Sequence, residues 1–100
     1  NPMGSVTKKD STELRPCIDC TITGLNESMA PMSLQLPTVQ EVIAKVKPGY
    51  YIAKRDWRHG FHHLVVQSPH RKYLGFRMPN GEIARWRALP FGVSQAPAIF

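Results

Sequence analysis

Tyr50-Tyr51-Ile52-Ala53-Lys54-Arg55-Asp56-Trp57-Arg58-His59-Gly60-Phe61-His62-His63-Leu64-Val65-Val66 carries a single carboxylate, Asp56, between two runs rich in aromatic and β-branched residues. Such runs favour extended backbone, and the glycine between them marks a turn. The expected local structure is strand, acidic residue, tight turn, strand. That geometry suits metal chemistry, because a strand fixes the carboxylate while turn amides face whatever anion the metal carries. An ordinary surface aspartate opening a β-turn gives the same pattern. Taken alone, the stretch leaves both readings open.

The chain closes on Leu89-Pro90-Phe91-Gly92-Val93-Ser94-Gln95-Ala96-Pro97-Ala98-Ile99-Phe100. The two stretches, in this order and at this separation, resemble the reverse transcriptases of retroelements. The first catalytic block of that family reads Asp, four residues, then an aromatic often followed by His, as do Asp56, Phe61 and His62. Its next block reads Leu-Pro-Phe-Gly, then Ala-Pro and a terminal Phe, as do residues 89 to 100. A third match is the turn Lys8-Lys9-Asp10 leading to Leu14-Arg15-Pro16-Cys17-Ile18-Asp19, which resembles the fingers hairpin. The run His70-Arg71-Lys72-Tyr73-Leu74 with Asn80-Gly81 looks closest to retrotransposons of the tyrosine-recombinase type. Gypsy-like elements and retroviruses are the near alternatives.

The resemblance implies an α+β fold, mostly antiparallel strands with short helices. Residues 1–37 would be the fingers hairpin and connector, and residues 38–100 the N-terminal part of a palm. It implies an RNA-directed DNA polymerase using Mg²⁺, with an RNA or DNA template-primer and a deoxynucleotide triphosphate as partners in the complete enzyme. Asp56 would be the catalytic, metal-bridging carboxylate, with the Trp57 carbonyl beside it. The amides of His59 and Gly60 would meet the triphosphate, and Lys8 and Arg15 would reach it. Phe61 would lie under the sugar and exclude a 2′-hydroxyl, and Phe91 and Gly92 would flank the nascent base pair.

Two departures from the family pattern stand out. Lys54-Arg55 precede Asp56 where the family has a more apolar strand; two cations so near could hold the carboxylate in a salt bridge and blunt its metal affinity, as in a degenerate copy. The aspartate pair of the family's third block is missing from the chain and would lie beyond Phe100. One carboxylate cannot hold two Mg²⁺ ions, so the expectation is a fragment truncated before that block and inert alone. A non-catalytic retroelement remnant, acting as a basic nucleic-acid or protein-binding module, is the alternative.

Composition agrees with a polyanionic partner. The 100 residues carry a net charge of +6, though solubility alone also accounts for such a charge. Arg71, Arg77, Arg85 and Arg87 gather on or beside one expected hairpin and form a candidate nucleic-acid-binding face, or a merely solvated one. No apolar run approaches membrane-spanning length, and no signal-peptide pattern opens the chain. It begins with Asn1 and stops inside a helix-like run, so a piece of something longer is expected. Cys17 and Cys20 form a C-x-x-C, and His62-His63 could complete a zinc set on paper. The spacing argues against it, since adjacent histidines lack the usual separation of ligands. Two cysteines do not make a disulfide framework, which points to a reducing, intracellular compartment, cytoplasmic or nuclear.

The remaining elements follow from local pattern. Residues 1 to 5 read as a loose leader. Val6-Thr7-Lys8 and Leu14 to Cys20 read as a hairpin with an edge position at Pro16, and 21 to 37 as an irregular connector. Thr38 and Glu41 match a capping box, and Val39, Val42, Ile43 and Val46 form an apolar stripe expected to lie on a sheet. Pro48-Gly49 should stop that helix. Gln67 to His70 reads as a loop, and Arg71 to Met78 as a strand paired through Asn80-Gly81 with Ile83 to Leu89. Ser94 is the expected cap of a last helix.

Overall fold

A computed structural model describes residues 1–100, and its architecture is of the α+β kind, with two separate two-stranded antiparallel sheets and a few short helices. The first sheet pairs β1 (Met3–Thr7) with β2 (Leu14–Ile18), in register from Met3 opposite Ile18 to Thr7 opposite Leu14. Asp10 makes the reversal possible by taking a left-handed φ of 59°, a conformation that Asp tolerates better than most residues. The Lys8 amide then donates to the Glu13 carbonyl at 2.9 Å, and Ser11 Oγ accepts from the Glu13 amide at 3.0 Å. Pro16 sits opposite Ser5 in a sheet of only two strands, so its missing amide is tolerated.

Residues 1 to 5 are not a loose leader. Met3, Gly4 and Ser5 belong to β1, and the Asn1 side chain donates to the carbonyls of Tyr73 and Gly75 at 2.8 and 2.9 Å. The hairpin's own register carries the pairing back to Met3, which the polar composition of this segment conceals.

Two short helices follow, α1 (Leu25–Ser28) and α2 (Val39–Lys45). α1 interrupts the connector expected to be irregular; Gly24 enters it at a φ of 73°. α2 is capped as the sequence predicts. Thr38 Oγ1 accepts from the Glu41 amide at 3.2 Å, and the Glu41 carboxylate accepts from the Thr38 amide at 2.7 Å. Its apolar stripe, however, does not lie on a sheet: Val39, Val42, Ile43 and Val46 are all exposed. Residues 50–57 form no strand either, and Tyr51 and Ile52 are fully or largely exposed. A strand needs a neighbouring backbone to accept and donate its hydrogen bonds, and none lies beside this segment. The radius of gyration is 17.3 Å, against about 13 Å for a compact chain of this length.

After Asp56 the chain winds into a 3₁₀ turn, Gly60–His63, instead of a simple reversal. The run that follows is extended but short. Val65 bridges Ala88, the Val66 amide donates to the Arg87 carbonyl at 2.8 Å, and Leu89 donates to Leu64 at 2.9 Å. Ser68–Leu74 is a 3₁₀ helix, so Arg71 lies on it rather than on a strand. Pro69 in its first turn fixes φ where no helical donor is needed. The second sheet pairs β3 (Gly75–Arg77) with β4 (Ile83–Arg85); β3 is shorter than the expected run at both ends, and β4 begins at Ile83 as expected but stops at Arg85. Its Asn-Gly turn forms as read, with Gly81 at a φ of 89° and Met78 donating to Glu82 at 2.8 Å. The last helix, α3 (Ala96–Ile99), is preceded by Gln95 and not by a Ser94 cap.

The core is small. Ile18, Cys20, Leu74, Leu89, Val93 and Ala96 are buried, with Leu25, Met29, Phe61, Leu64, Val66, Phe76 and Trp86 packed around them. At its centre the closing loop meets β2: the Ile18 amide donates to the Phe91 carbonyl at 3.1 Å, and Gly92 lies directly against the Ile18 carbonyl at a φ of 111°. A Cβ at residue 92 would collide with that backbone oxygen. Gly92→Ala should therefore lower stability by about 3 kcal/mol through combined clash and left-handed strain. Gly4→Ala, with open space around its Cβ position, should change stability by less than about 0.5 kcal/mol. Urea midpoints of the two variants measure the difference.

Candidate functional site

The hairpin β1–β2, the turn after Asp56 and the closing loop converge on one open cavity of about 910 Å³. Lys8 and Arg15 line it from the hairpin, Asp56, Trp57, His59, Gly60 and Phe61 from the turn, and Phe91 from the loop. Eight of the residues singled out in the sequence are thus brought together from three segments. Gly92 is not among the lining residues; it lies against the Ile18 backbone, where a Cβ would collide with the Ile18 carbonyl. The four arginines lie elsewhere.

Aromatic packing builds the wall. Phe61 is tilted against Phe91 at 5.3 Å between ring centroids and meets Phe100 edge-on at 5.6 Å. Offset and edge-on geometries of this kind satisfy the ring quadrupoles. Gly60 leaves room for Phe100: a Cβ there would come within 2.9 Å of its ring. Trp57 directs its indole at His63 and Phe100, with centroids at 5.7 and 6.4 Å. On the hairpin side the Arg15 guanidinium lies over the Phe91 ring at 5.8 Å, a cation–π contact at the outer limit of useful range.

His59 holds a left-handed φ of 54°, uncommon for a residue with a side chain, at the start of the 3₁₀ turn. Its ring stacks on His62 at 5.9 Å, and His62 in turn stacks on Trp86 at 5.2 Å. Burial pushes the His62 pKa below its ordinary value, and the neighbouring His59 and His63 push it the same way. The geometry explains this, since His62 Nε2 is shielded from solvent without a hydrogen-bond partner, and a second ring proton there would be stranded.

Asp56 is exposed and lies in no ion pair. No ion pair joins Asp56 to Lys54 or Arg55. The carboxylate that does pair is Glu13, which sequence reasoning passed over as part of a polar turn. It lies 3.6 Å from Lys8 Nζ and 3.9 Å from His59 Nε2. Opposite charges flanking a hairpin turn were the available signal. His62, Trp86, Arg58 and Phe100 also line the cavity and were not singled out for it. No group of three or more His, Cys, Asp or Glu side chains is arranged to hold a metal ion.

Two of the four arginines donate to backbone carbonyls, Arg77 Nη1 to Gly81 of its own hairpin turn at 3.1 Å and Arg71 to Val66. Arg77 and Arg85 are exposed and share one face of β3–β4, since their cross-strand partners are Ile83 and Gly75. Arg87 is exposed beyond the strand end. Arg71 instead turns its Nε inward to donate to the Val66 carbonyl at 2.8 Å, so it braces the fold. No helix is long and apolar enough to cross a membrane.

The chain is 31% identical over 99 residues to the Tf2-3 and Tf2-4 transposon polyproteins of Schizosaccharomyces pombe, covering 99% of this chain and 7% of each polyprotein. It is 30% identical over 76 residues to a viral enzymatic polyprotein of Cassava vein mosaic virus, covering 76% of this chain and 12% of that protein. These similarities support a retroelement origin, and the chain spans only a small part of the curated relatives it matches. No family model matches the chain, and no solved structure does.

The His62 environment sets a pH dependence. Its folded pKa is depressed, so as pH falls below about 6.5 the unfolded chain takes up this proton first. The contribution of His62 to stability is complete above that value and is lost as pH falls through the lower folded pKa. Urea midpoints should therefore drop between pH 7.5 and pH 5, and His62→Phe, which keeps an aromatic stack on Trp86, should flatten the drop.

Proposed function

We propose that residues 1–100 are the fingers hairpin and the first part of the palm of a retroelement reverse transcriptase, an RNA-directed DNA polymerase. The observation that carries this reading is the cavity in which Lys8, Arg15, Asp56, His59, Gly60, Phe61 and Phe91 meet. These are the residues that the family pattern assigns to triphosphate, metal, sugar and base.

Each residue has a physical task in that reading. Arg15 presents a planar fork to phosphate oxygens while the Phe91 ring backs its guanidinium. Lys8 reaches the same phosphates after leaving Glu13, and an exposed pair of this kind costs at most about 1 kcal/mol to break. Phe61 is held by Phe91 and Phe100, so its ring can exclude a 2′-oxygen by a built-in clash. Gly92, fixed on Ile18, carries the backbone beside the base pair.

Asp56, exposed and unpaired, fits one carboxylate ligand of Mg²⁺, with the Trp57 carbonyl beside it. Two ions clamping the attacking and leaving oxygens need more carboxylate than this cavity offers, since its acidic side chains are Asp56 and Glu13 and no group of three or more potential ligands is arranged to hold a metal ion. The residues of the chain do not fit a two-metal centre by themselves. They bind and orient nucleotide, and no bond-making step is assigned to them alone. A second reading, a basic module without catalysis, is favoured by the exposed Arg77 and Arg85 pair.

Purified chain supplied with primer-template, Mg²⁺ and four deoxynucleotides should give no templated extension; measurable extension would refute the fragment reading. In a polymerase carrying this segment, Phe61→Val should shift ribo- against deoxynucleotide discrimination by about 2 kcal/mol, read from single-nucleotide incorporation. An unchanged ratio would remove Phe61 from the gate.

The arginine face has its own measurement. Binding to an RNA–DNA hybrid should weaken linearly in log affinity with log salt. Arg77→Glu with Arg85→Glu should reduce that slope, whereas Arg71→Gln should act mainly on stability. Binding that is indifferent to salt would exclude a phosphate-contacting face.

A further inference from the structure

Asn26 lies in the middle of α1, yet its side chain leaves the helix for the closing loop. Nδ2 donates to the Gly92 carbonyl and to Thr21 Oγ1, both at 3.0 Å, and Oδ1 accepts from the Ser94 amide at 2.9 Å. The loop partners are 66 and 68 residues away in sequence. The Asn26 backbone is itself anchored, since its amide donates to the Cys20 carbonyl at 3.0 Å. Cys20 is part of the buried core, so this anchor is rigid.

The two loop contacts bracket Val93 and follow Phe91 directly. Upstream, the Phe91 carbonyl is held by the Ile18 amide. Phe91 is therefore fixed on one side by β2 and on the other by a side-chain amide that mimics a backbone strand, donating and accepting toward the same loop. A carboxamide does both at once through its two separate atoms: Asp would accept from Ser94 but could not donate to Gly92, and an apolar residue could do neither. Without the amide, the Gly92 carbonyl and the Ser94 amide lose their partners. The loop that carries the Phe91 ring under Arg15 and against Phe61 is then held from one side only.

We propose that Asn26 is a positioning residue for the Phe91 wall of the cavity, a latch that sets the loop's distance from the hairpin and so the width of the nucleotide site. The latch stands on the hydrogen bonds; only its bearing on nucleotide rests on the polymerase reading above.

The test compares Asn26→Ala, Asn26→Asp and, as a control in the same helix, Ser28→Ala. In the full chain, amide hydrogen exchange at Ser94 should speed up roughly tenfold in Asn26→Ala while exchange at Lys8 in the hairpin is unchanged. Asn26→Asp should keep Ser94 protected but shift the Phe91 ring resonances, because the Nδ2 donations to Gly92 and Thr21 are lost while the Ser94 contact stays. Ser28→Ala should alter neither. Unchanged Ser94 exchange in Asn26→Ala would overturn the latch. If Asn26→Ala does not fold, Asn26→Asp decides, and Phe91 resonances identical to those of the parent would overturn it. In a polymerase carrying this segment, Asn26→Ala should raise KM for deoxynucleotide roughly tenfold with kcat within about threefold, a split that general destabilisation does not produce. Altered exchange with an unaltered KM would uphold the latch and sink the nucleotide reading of the cavity instead.

Discussion

The approach of Gly92 to the Ile18 carbonyl, which leaves less room for a Cβ than at any other glycine of the chain, is the constraint around which the cavity is built. It brings a residue from the start of the chain against one from its end, and the Ile18–Phe91 hydrogen bond locks the approach. Everything that faces the cavity depends on it. The hairpin supplies Lys8 and Arg15 in a position relative to Phe91 only because β2 and the closing loop share backbone at this point. Any side chain at residue 92 separates the two segments, and the aromatic wall goes with them.

The parts of the fold that were legible in the sequence are those decided within a few residues. The Thr38–Glu41 capping box, the Asn80-Gly81 turn and the Lys9-to-Thr12 reversal each form, because each is stabilised by neighbours in sequence. What could not be read was whatever needed a distant partner. Tyr50 to Asp56 has the composition of a strand but no strand beside it, and composition says nothing about which backbone will be adjacent. The stripe of α2 likewise has the right period to pack but meets no apolar face. Arg71 shows the same limit at side-chain level. Its guanidinium turns inward to a carbonyl brought close by the 3₁₀ winding of Ser68–Leu74, a winding that a strand-like sequence concealed.

Much of what gathers the candidate residues around the cavity is local in sequence. Asp56, His59, Gly60 and Phe61 are contiguous, so a turn of any type keeps them together, and only the approach of Phe91 and the hairpin required tertiary structure. Glu13 was missed because its meaning lies in its pairs with Lys8 and His59, one across a turn and one across the cavity. The histidines carried no legible metal or electrostatic role. His62 stacks on Trp86 and His59 on His62, while His63 meets Trp57 edge-on, so ring packing holds these three in place.

The two thiols have unequal chemical fates. Cys20 is buried in the core and its pKa is raised by that burial, so it is a poor nucleophile and a poor target for alkylation or oxidation. Cys17 is only half-buried on β2, bridged to Phe91. A single-addition thiol reagent thus finds one address in the native chain and two after unfolding. A spectroscopic label attached there would sit at the seam between hairpin and loop, where it would register their separation without any substitution in the protein.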